Sequence, residues 1–107
     1  MQRGEIFRLR APRAVRGHEQ AGARYGVVLQ ADALLALSTV IVAPTSTRAL
    51  PASFRPEVEI DGTRTRVLVE QLGAVDPGRL GESYGLLAGD ELRHLDHAVS
   101  LVLGLTR

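Results

Sequence analysis

Ser38-Thr39-Val40-Ile41-Val42-Ala43-Pro44-Thr45 is the most strand-like stretch of the chain. Three consecutive β-branched side chains suit a pleated, well-packed surface, and Pro44, which has no N–H to give to a ladder, ends the run. Working outward, Arg24 to Gln30 carries a second short buried strand in Val27-Val28-Leu29. Glu5 to Arg10 alternates, with Phe7 and Leu9 on one face and Arg8 and Arg10 on the other, as a half-exposed strand does. Downstream, Glu57 to Ile60 and Thr65 to Glu70 read as strands about a turn at Asp61-Gly62, a strong hairpin signal.

The connections differ in kind. Ala11 to Ala23 is a long loop holding Pro12, Gly17 and Gly22, and loops of that length in small domains often carry function. Ala31 to Leu37 predicts a single helical turn, and Leu50 to Pro56 is a proline-interrupted link. Asp76-Pro77-Gly78 is expected to close the strand-rich region. Beyond it, Asp90 to Leu105 sets Leu92, Leu95, Val99 and Val102 at helical spacing, joined by Ala98 and Leu103. Asp90 and Glu91 fall in the first turn, where carboxylates suit the helix dipole. No Ser or Thr precedes them, so Ala88 or Gly89 has to serve as the cap, and Gly104 is the expected stop. The expectation is an α+β, mainly β domain over residues 1–107. About five short antiparallel strands form a small curled sheet or SH3-like barrel, followed by a C-terminal helix.

Composition narrows the function. At 107 residues with 45% apolar content the chain supports one modest core, and dimerisation is a natural supplement to it. The formal charge is only +1, yet its distribution is uneven. All thirteen basic residues are Arg, and six of them (Arg3, Arg8, Arg10, Arg13, Arg16, Arg24) lie in the first twenty-four positions against Glu5 and Glu19. From Asp76 to Asp96 acids prevail, five against Arg79 and Arg93. A GC-rich genome accounts for Arg in place of Lys but not for this asymmetry; a basic N-terminal region attracts phosphates. The absence of Cys removes disulfides, thiol catalysis and Cys-based zinc sites together. No uncharged apolar run approaches the ~20 residues that span a bilayer, and no apolar signal segment follows Met1, so a cytoplasmic protein is expected. The glycines form no nucleotide-binding fingerprint.

Four segments, taken in order, resemble one family. Arg3-Gly4-Glu5-Ile6-Phe7 resembles its opening Arg-Gly-Asp/Glu strand. Gly17-His18-Glu19-Gln20-Ala21-Gly22-Ala23-Arg24 resembles its Gly-Ser-Glu-Gln-x-Gly-x-Arg-Pro loop. Val40 to Thr47 resembles its third strand, which ends in Pro-x-Thr, and Leu68 to Asp76 resembles its Asp/Glu-Gln-Ile-x-x-Ile-Asp segment. The family is the MazF/PemK toxins, and the resemblance runs from Arg3 to Leu105 at family spacing. Tyr25 stands where the family usually has Pro, His18 where Ser is common, and Ser46 where the catalytic Thr usually falls, with Thr45 and Thr47 on either side.

The resemblance implies a sequence-selective, metal-independent endoribonuclease of a toxin–antitoxin pair that acts on single-stranded RNA without a cofactor. It also implies a homodimer with RNA in a groove across it, and a cognate MazE-like antitoxin that occludes the groove. The catalytic candidates are then Arg24, Ser46, Thr47 and Glu19; the RNA-binding candidates are Arg13, Arg16, His18, Gln20, Tyr25, Thr45 and Arg48. Arg24 suits stabilisation of a charged transition state, since guanidinium stays protonated and grips two phosphate oxygens; its structural alternative is a salt bridge, for instance to Glu19. Ser46, Thr45 or Thr47 can hydrogen-bond the phosphate, and a hydroxyl at a strand end is otherwise a turn group. Glu19 and His18 titrate usefully as base or acid, or are solvated loop charges. Tyr25 and Phe54 can stack on splayed bases or pack at the rim. Phe7 reads as core. Gln71 reads as a residue satisfying buried backbone groups near the dimer seam. His94 and His97, three apart on the helix, read as surface or interface residues and not as a metal pair.

Two other classes compete. Toxins of the CcdB type share the barrel but bind DNA gyrase, through a helix end that includes Trp; this chain has no Trp and ends Gly104-Leu105-Thr106-Arg107. An inactive SH3-like adaptor would need an aromatic-lined groove, and aromatics are only 4% here.

Overall fold

The computed structural model describes residues 1–10 and 24–105. Within them the chain forms β1 (Glu5–Leu9), β2 (Tyr25–Val28), β3 (Val40–Ser46), β4 (Glu57–Ile60), β5 (Thr63–Val67), β6 (Gly73–Val75), β7 (Leu80–Leu86) and α1 (Gly89–Val102). The strands make one curled antiparallel sheet in the order β4-β5-β3-β2-β1-β7, with β6 added to β3. Strands come first and the helix last, as the sequence predicts.

The strand count does not follow the expectation: the described residues hold seven strands, and the region does not end at Asp76-Pro77-Gly78. Those residues instead form a short 3-10 turn over Pro77–Arg79, where the Asp76 carboxylate accepts from Gly78 N–H at 2.7 Å. After it, β7 pairs along β1 with two register irregularities. An edge strand broken by irregular pairing has no regular apolar alternation, so its backbone ladder leaves no trace in the sequence. The fifth strand also starts earlier than expected, at Thr63, and gives way after Val67 to a 3-10 turn over Val69–Gln71.

Both faces of the central strands are packed. Ile6, Val27, Leu29, Ala43, Val58, Ile60 and Val67 form one cluster with Leu95 and Ala98 of α1. Val28, Val40, Val42 and Leu80 form a second, against which Phe7, Leu9, Leu35 and Val75 pack. Neighbouring residues of one strand point to opposite faces, so Val27 and Val28 join different clusters. This explains why β2 reads as an unbroken apolar run.

The turns follow their residues. Asp61 (φ 51°) and Gly62 (φ 80°) both take the left-handed region, which a two-residue hairpin of this twist requires. Gln30 is buried and holds the 31–39 connection: its Nε2 donates to the carbonyls of Leu34 (2.7 Å) and Thr39 (3.3 Å), and its Oε1 accepts from Ile41 N–H. The predicted helical turn there is a 3-10 turn over Asp32–Leu34. Ala88 is the N-cap of α1; its methyl cannot accept from the first-turn amides, and Glu91 makes only the reciprocal bond of a capping box, taking Ala88 N–H at 2.9 Å. The other oxygen of Glu91 takes Glu59 N–H, also at 2.9 Å, so one carboxylate closes the edge strand β4 against the helix start. At the far end Gly104 (φ 70°) donates to Leu101 and Leu105 donates to Ser100, a Schellman stop.

Candidate active site

The register of β2 against β3 decides where the chemistry-bearing residues meet. Gly26 lies opposite Pro44, Val27 opposite Ala43 and Val28 opposite Val42. Because the pairing is antiparallel, the start of β2 at Tyr25, which Arg24 precedes, lies at the end of the sheet where β3 runs past Pro44 through Thr45 to Ser46. Two residues far apart in sequence thus reach the same end of the sheet. Arg24 is exposed just ahead of β2, and its carbonyl accepts from Leu9 N–H at 2.8 Å, which fixes its backbone against β1.

The row continues across the sheet. Ser46 lies opposite Arg66 of β5, and Arg66 lies opposite Glu57 of β4. Arg66 was not among the sequence candidates; only strand pairing brings it here. Its Nη1 donates to the Arg55 carbonyl at 3.0 Å, and its Nη2 lies 3.9 Å from Glu57. The Ser46 hydroxyl accepts from Arg48 N–H at 3.1 Å, a local turn that carries the exposed Thr47 and Arg48.

Arg55 organises the connection between β3 and β4. Its Nε (3.0 Å) and Nη2 (2.7 Å) both donate to one oxygen of Glu70, and its Nη1 donates to the Leu50 carbonyl at 3.2 Å. The hydrogen bond from Arg55 holds the Glu70 carboxyl below its ordinary pKa, and Glu70 in turn raises that of the guanidinium. Phe54 lies beneath this cation, 5.4 Å from ring centre to guanidinium carbon, so it supports the loop.

The hydroxyl cluster divides by face. Thr45 is 6% exposed and lies on the helix side of the sheet, opposite Val67, whereas Ser46 is half-buried on the other side and Thr47 is exposed. Tyr25 shares Thr45's side. Its ring meets Tyr84 edge-on at 5.0 Å, and burial, then the neighbouring Tyr84 hydroxyl, pushes its phenol pKa up. Gln71 is exposed in the single protomer, and within it Gln30 is a glutamine that satisfies backbone groups. His94 and His97 are exposed on α1, and among the described residues no three His, Cys, Asp or Glu side chains are grouped to hold a metal. Arg13, Arg16, His18, Glu19 and Gln20 lie outside the described residues.

The opening motif has a structural role. Arg3 donates to the Leu29 carbonyl (2.8 Å) and to Asp96 of α1 (2.7 Å), tying the N-terminus to both. Gly4 holds φ 85°, and a Cβ there would stand 3.2 Å from Leu92.

This arrangement of strands is shared with known proteins. A solved endoribonuclease in complex with its cognate antitoxin, from a mycobacterial species, superposes with a TM-score of 0.82 at 15% identity, covering 100% of this chain and 98% of that one. A MazE–MazF complex from Deinococcus radiodurans gives 0.77 at 24% identity, over 99% of this chain and 97% of its counterpart. In sequence, a Mycobacterium tuberculosis protein named as a toxin is 43% identical, over 96% of this chain and 97% of its own length. The endoribonuclease MazF of Staphylococcus saprophyticus is 32% identical, over 98% of this chain and 92% of its own. The model of the PemK-like, MazF-like toxins matches residues 2–103. With the family model matching residues 2–103 and relatives similar over nearly their whole length, the chain belongs to the PemK-like, MazF-like toxins of type II toxin–antitoxin systems.

Proposed function

We propose that this toxin is an endoribonuclease that cleaves single-stranded RNA, with the nucleophile supplied by the substrate. The 2′-oxygen attacks the adjacent phosphorus and the bond to the 5′-oxygen breaks, leaving a cyclic phosphate and a 5′-hydroxyl. The 2′-proton passes to a base and the leaving oxygen takes a proton from an acid. The observation that supports this reading is the antiparallel β2–β3 pairing, which brings the start of β2, directly after Arg24, to the end of the sheet where β3 reaches Ser46. The Arg24 guanidinium meets the charge that builds on the non-bridging oxygens, the term that is often largest in such reactions. The Ser46 hydroxyl donates to the same phosphate. Glu19 and His18, five and six residues before Arg24, are the titrating groups for base and acid. Thr47 and Arg48 extend the phosphate contacts, as do Arg13, Arg16 and Gln20. Thr45 and Tyr25 support the strand from its helix side.

The MazF of S. saprophyticus is named an endoribonuclease, in accord with this chemistry. Relatives solved with antitoxins support a cognate MazE-like antitoxin, and its covering of the RNA site belongs to the same proposal. A homodimer working in the cytoplasm completes the reading; no helix among the described residues is long and apolar enough to cross a membrane. The test is incubation of purified protein with labelled single-stranded RNA in EDTA. Fragments ending in cyclic phosphate, lost on Arg24→Ala, are the expected result. Cleavage that stops on chelation and returns with Mg²⁺ or Mn²⁺ rejects the mechanism.

A further inference from the structure

The connection from Thr47 to Pro56 leaves β3 directly after Ser46 and is largely exposed, with Leu50 at 75%. A loop of ten residues of which only Pro56 is buried has little burial to hold one shape, so polar anchors contribute much of its order. One residue supplies most of them. The Arg55 guanidinium reaches back to the Leu50 carbonyl and across to Glu70, while its own N–H donates to Ala52 and its carbonyl accepts from Arg66. Glu70 sits on the 3-10 turn that follows β5, and Leu68 N–H, at the start of that turn, donates to the Pro44 carbonyl at 2.8 Å. The fixed end of the pair is therefore joined to β3 two residues before Ser46. Arg66, the third member, stands opposite Ser46 in the ladder.

We propose that Arg55 and Glu70 are positioning residues for catalysis: their ion pair fixes the loop so that the Ser46–Thr47–Arg48 turn is preformed for the scissile phosphate. Neither residue touches the reacting atoms; both act through the turn. The lowered pKa of Glu70 agrees with a pair that stays formed at neutral pH. The proposal rests on the ribonuclease reading for its effect on rate, but its structural half stands apart from that reading. Displacement of a catalytic group by an ångström or so can cost one to two powers of ten in rate. Loss of the pair is expected to lower kcat by about tenfold, with KM for the RNA changed by less than about twofold, because phosphate-gripping residues remain.

The experiment uses the full chain with Arg55→Ala, Glu70→Ala and the double substitution. Two measurements are made: steady-state cleavage of a single-stranded RNA, and hydrogen exchange of the Arg48 amide, the donor to Ser46. The expected result is faster Arg48 exchange and lower kcat in both single variants, with the double no worse than either, and partial recovery in Arg55→Lys. Arg48 exchange that is unchanged in folded single variants overturns the proposal whatever the RNA does. A rise in KM confined to Arg55→Ala, with Glu70→Ala silent, also overturns it, since Arg55 would then bind RNA directly. If exchange rises in the variants while the wild type leaves RNA intact, the preformed turn stands and the ribonuclease reading fails.

Discussion

Arg24 precedes β2 and Ser46 ends β3 at the same end of the sheet, and each tests a different part of the proposed chemistry. Arg24→Ala should lower the cleavage rate by about 10²–10³ while the thermal midpoint stays near that of the wild type, because the lost interaction is with the transition state. Initial rates on labelled RNA check this; near-normal cleavage by a folded variant removes Arg24 from the mechanism. Ser46→Ala should slow cleavage more than Thr47→Ala, and Ser46→Thr should be tolerated. A larger loss at Thr47 would move the reacting phosphate one residue along the strand end. Thr45 is buried on the helix side, so Thr45→Val should change stability before it changes rate. The Glu70 pair adds a pH dependence. Its folded pKa lies below the ordinary 4.5, so its contribution to stability is present above that value and fades as pH falls through the lowered one. The stability gap between wild type and Arg55→Ala, followed by denaturant titration, should therefore be steady at neutral pH and close in acid. A gap that persists unchanged in strong acid would show that the pair's charge is not its cause.

At the scale of elements, the sheet has two ends to protect. β4 is an edge strand, and an open edge invites pairing with other chains. Glu91 covers part of it by accepting Glu59 N–H while its other oxygen caps α1. Glu91→Ala should leave two backbone donors without this partner and cost about 1–2 kcal/mol, with faster exchange at Glu59 and Ala88 amides. An unchanged thermal midpoint would show that water replaces the carboxylate at no loss. On the other side of the sheet, Gly26 faces Leu9, and a Cβ built there would stand 2.9 Å from its Cδ2. Close packing of β1 on β2 is thus set by the missing side chain.

The whole molecule has 107 residues and a core split between two faces, with several apolar side chains left outside it. Leu34, Leu37, Leu86, Leu103 and Leu105 are all more than half exposed. Covering such surface is what a second protomer can do, and closed two-fold dimers are the commonest arrangement. Light scattering at micromolar concentration should return a dimer; a monomer there rejects it. An antitoxin that occludes an Arg-lined groove should bind less tightly as salt rises, through screening of those charges. Titration calorimetry at two salt concentrations checks this, and equal affinity at both would place the contact elsewhere.

How much of this was legible in advance depended on the range of the interaction involved. Local signals were sufficient for the apolar run of β3, for the Asp61-Gly62 hairpin, for the stop at Gly104 and for the apolar stripe of α1, because each is set by residues within a few positions of one another. However, β3 does not end at Pro44 as expected and continues to Ser46 through its pairing with β2 and β5. The ordered motifs also carried the family. The tertiary structure alone decided the rest. β7 is a strand because β1 lies beside it, not because of its own pattern. Thr45 and Ser46 lie on different faces because pleating turns one toward the helix and the other away. Arg66 joins the row, and Arg55 finds Glu70, through pairings between strands and turns that lie well apart in the chain. Sequence pattern records which way a side chain faces within its own element; which partner it meets is fixed only when the elements pack.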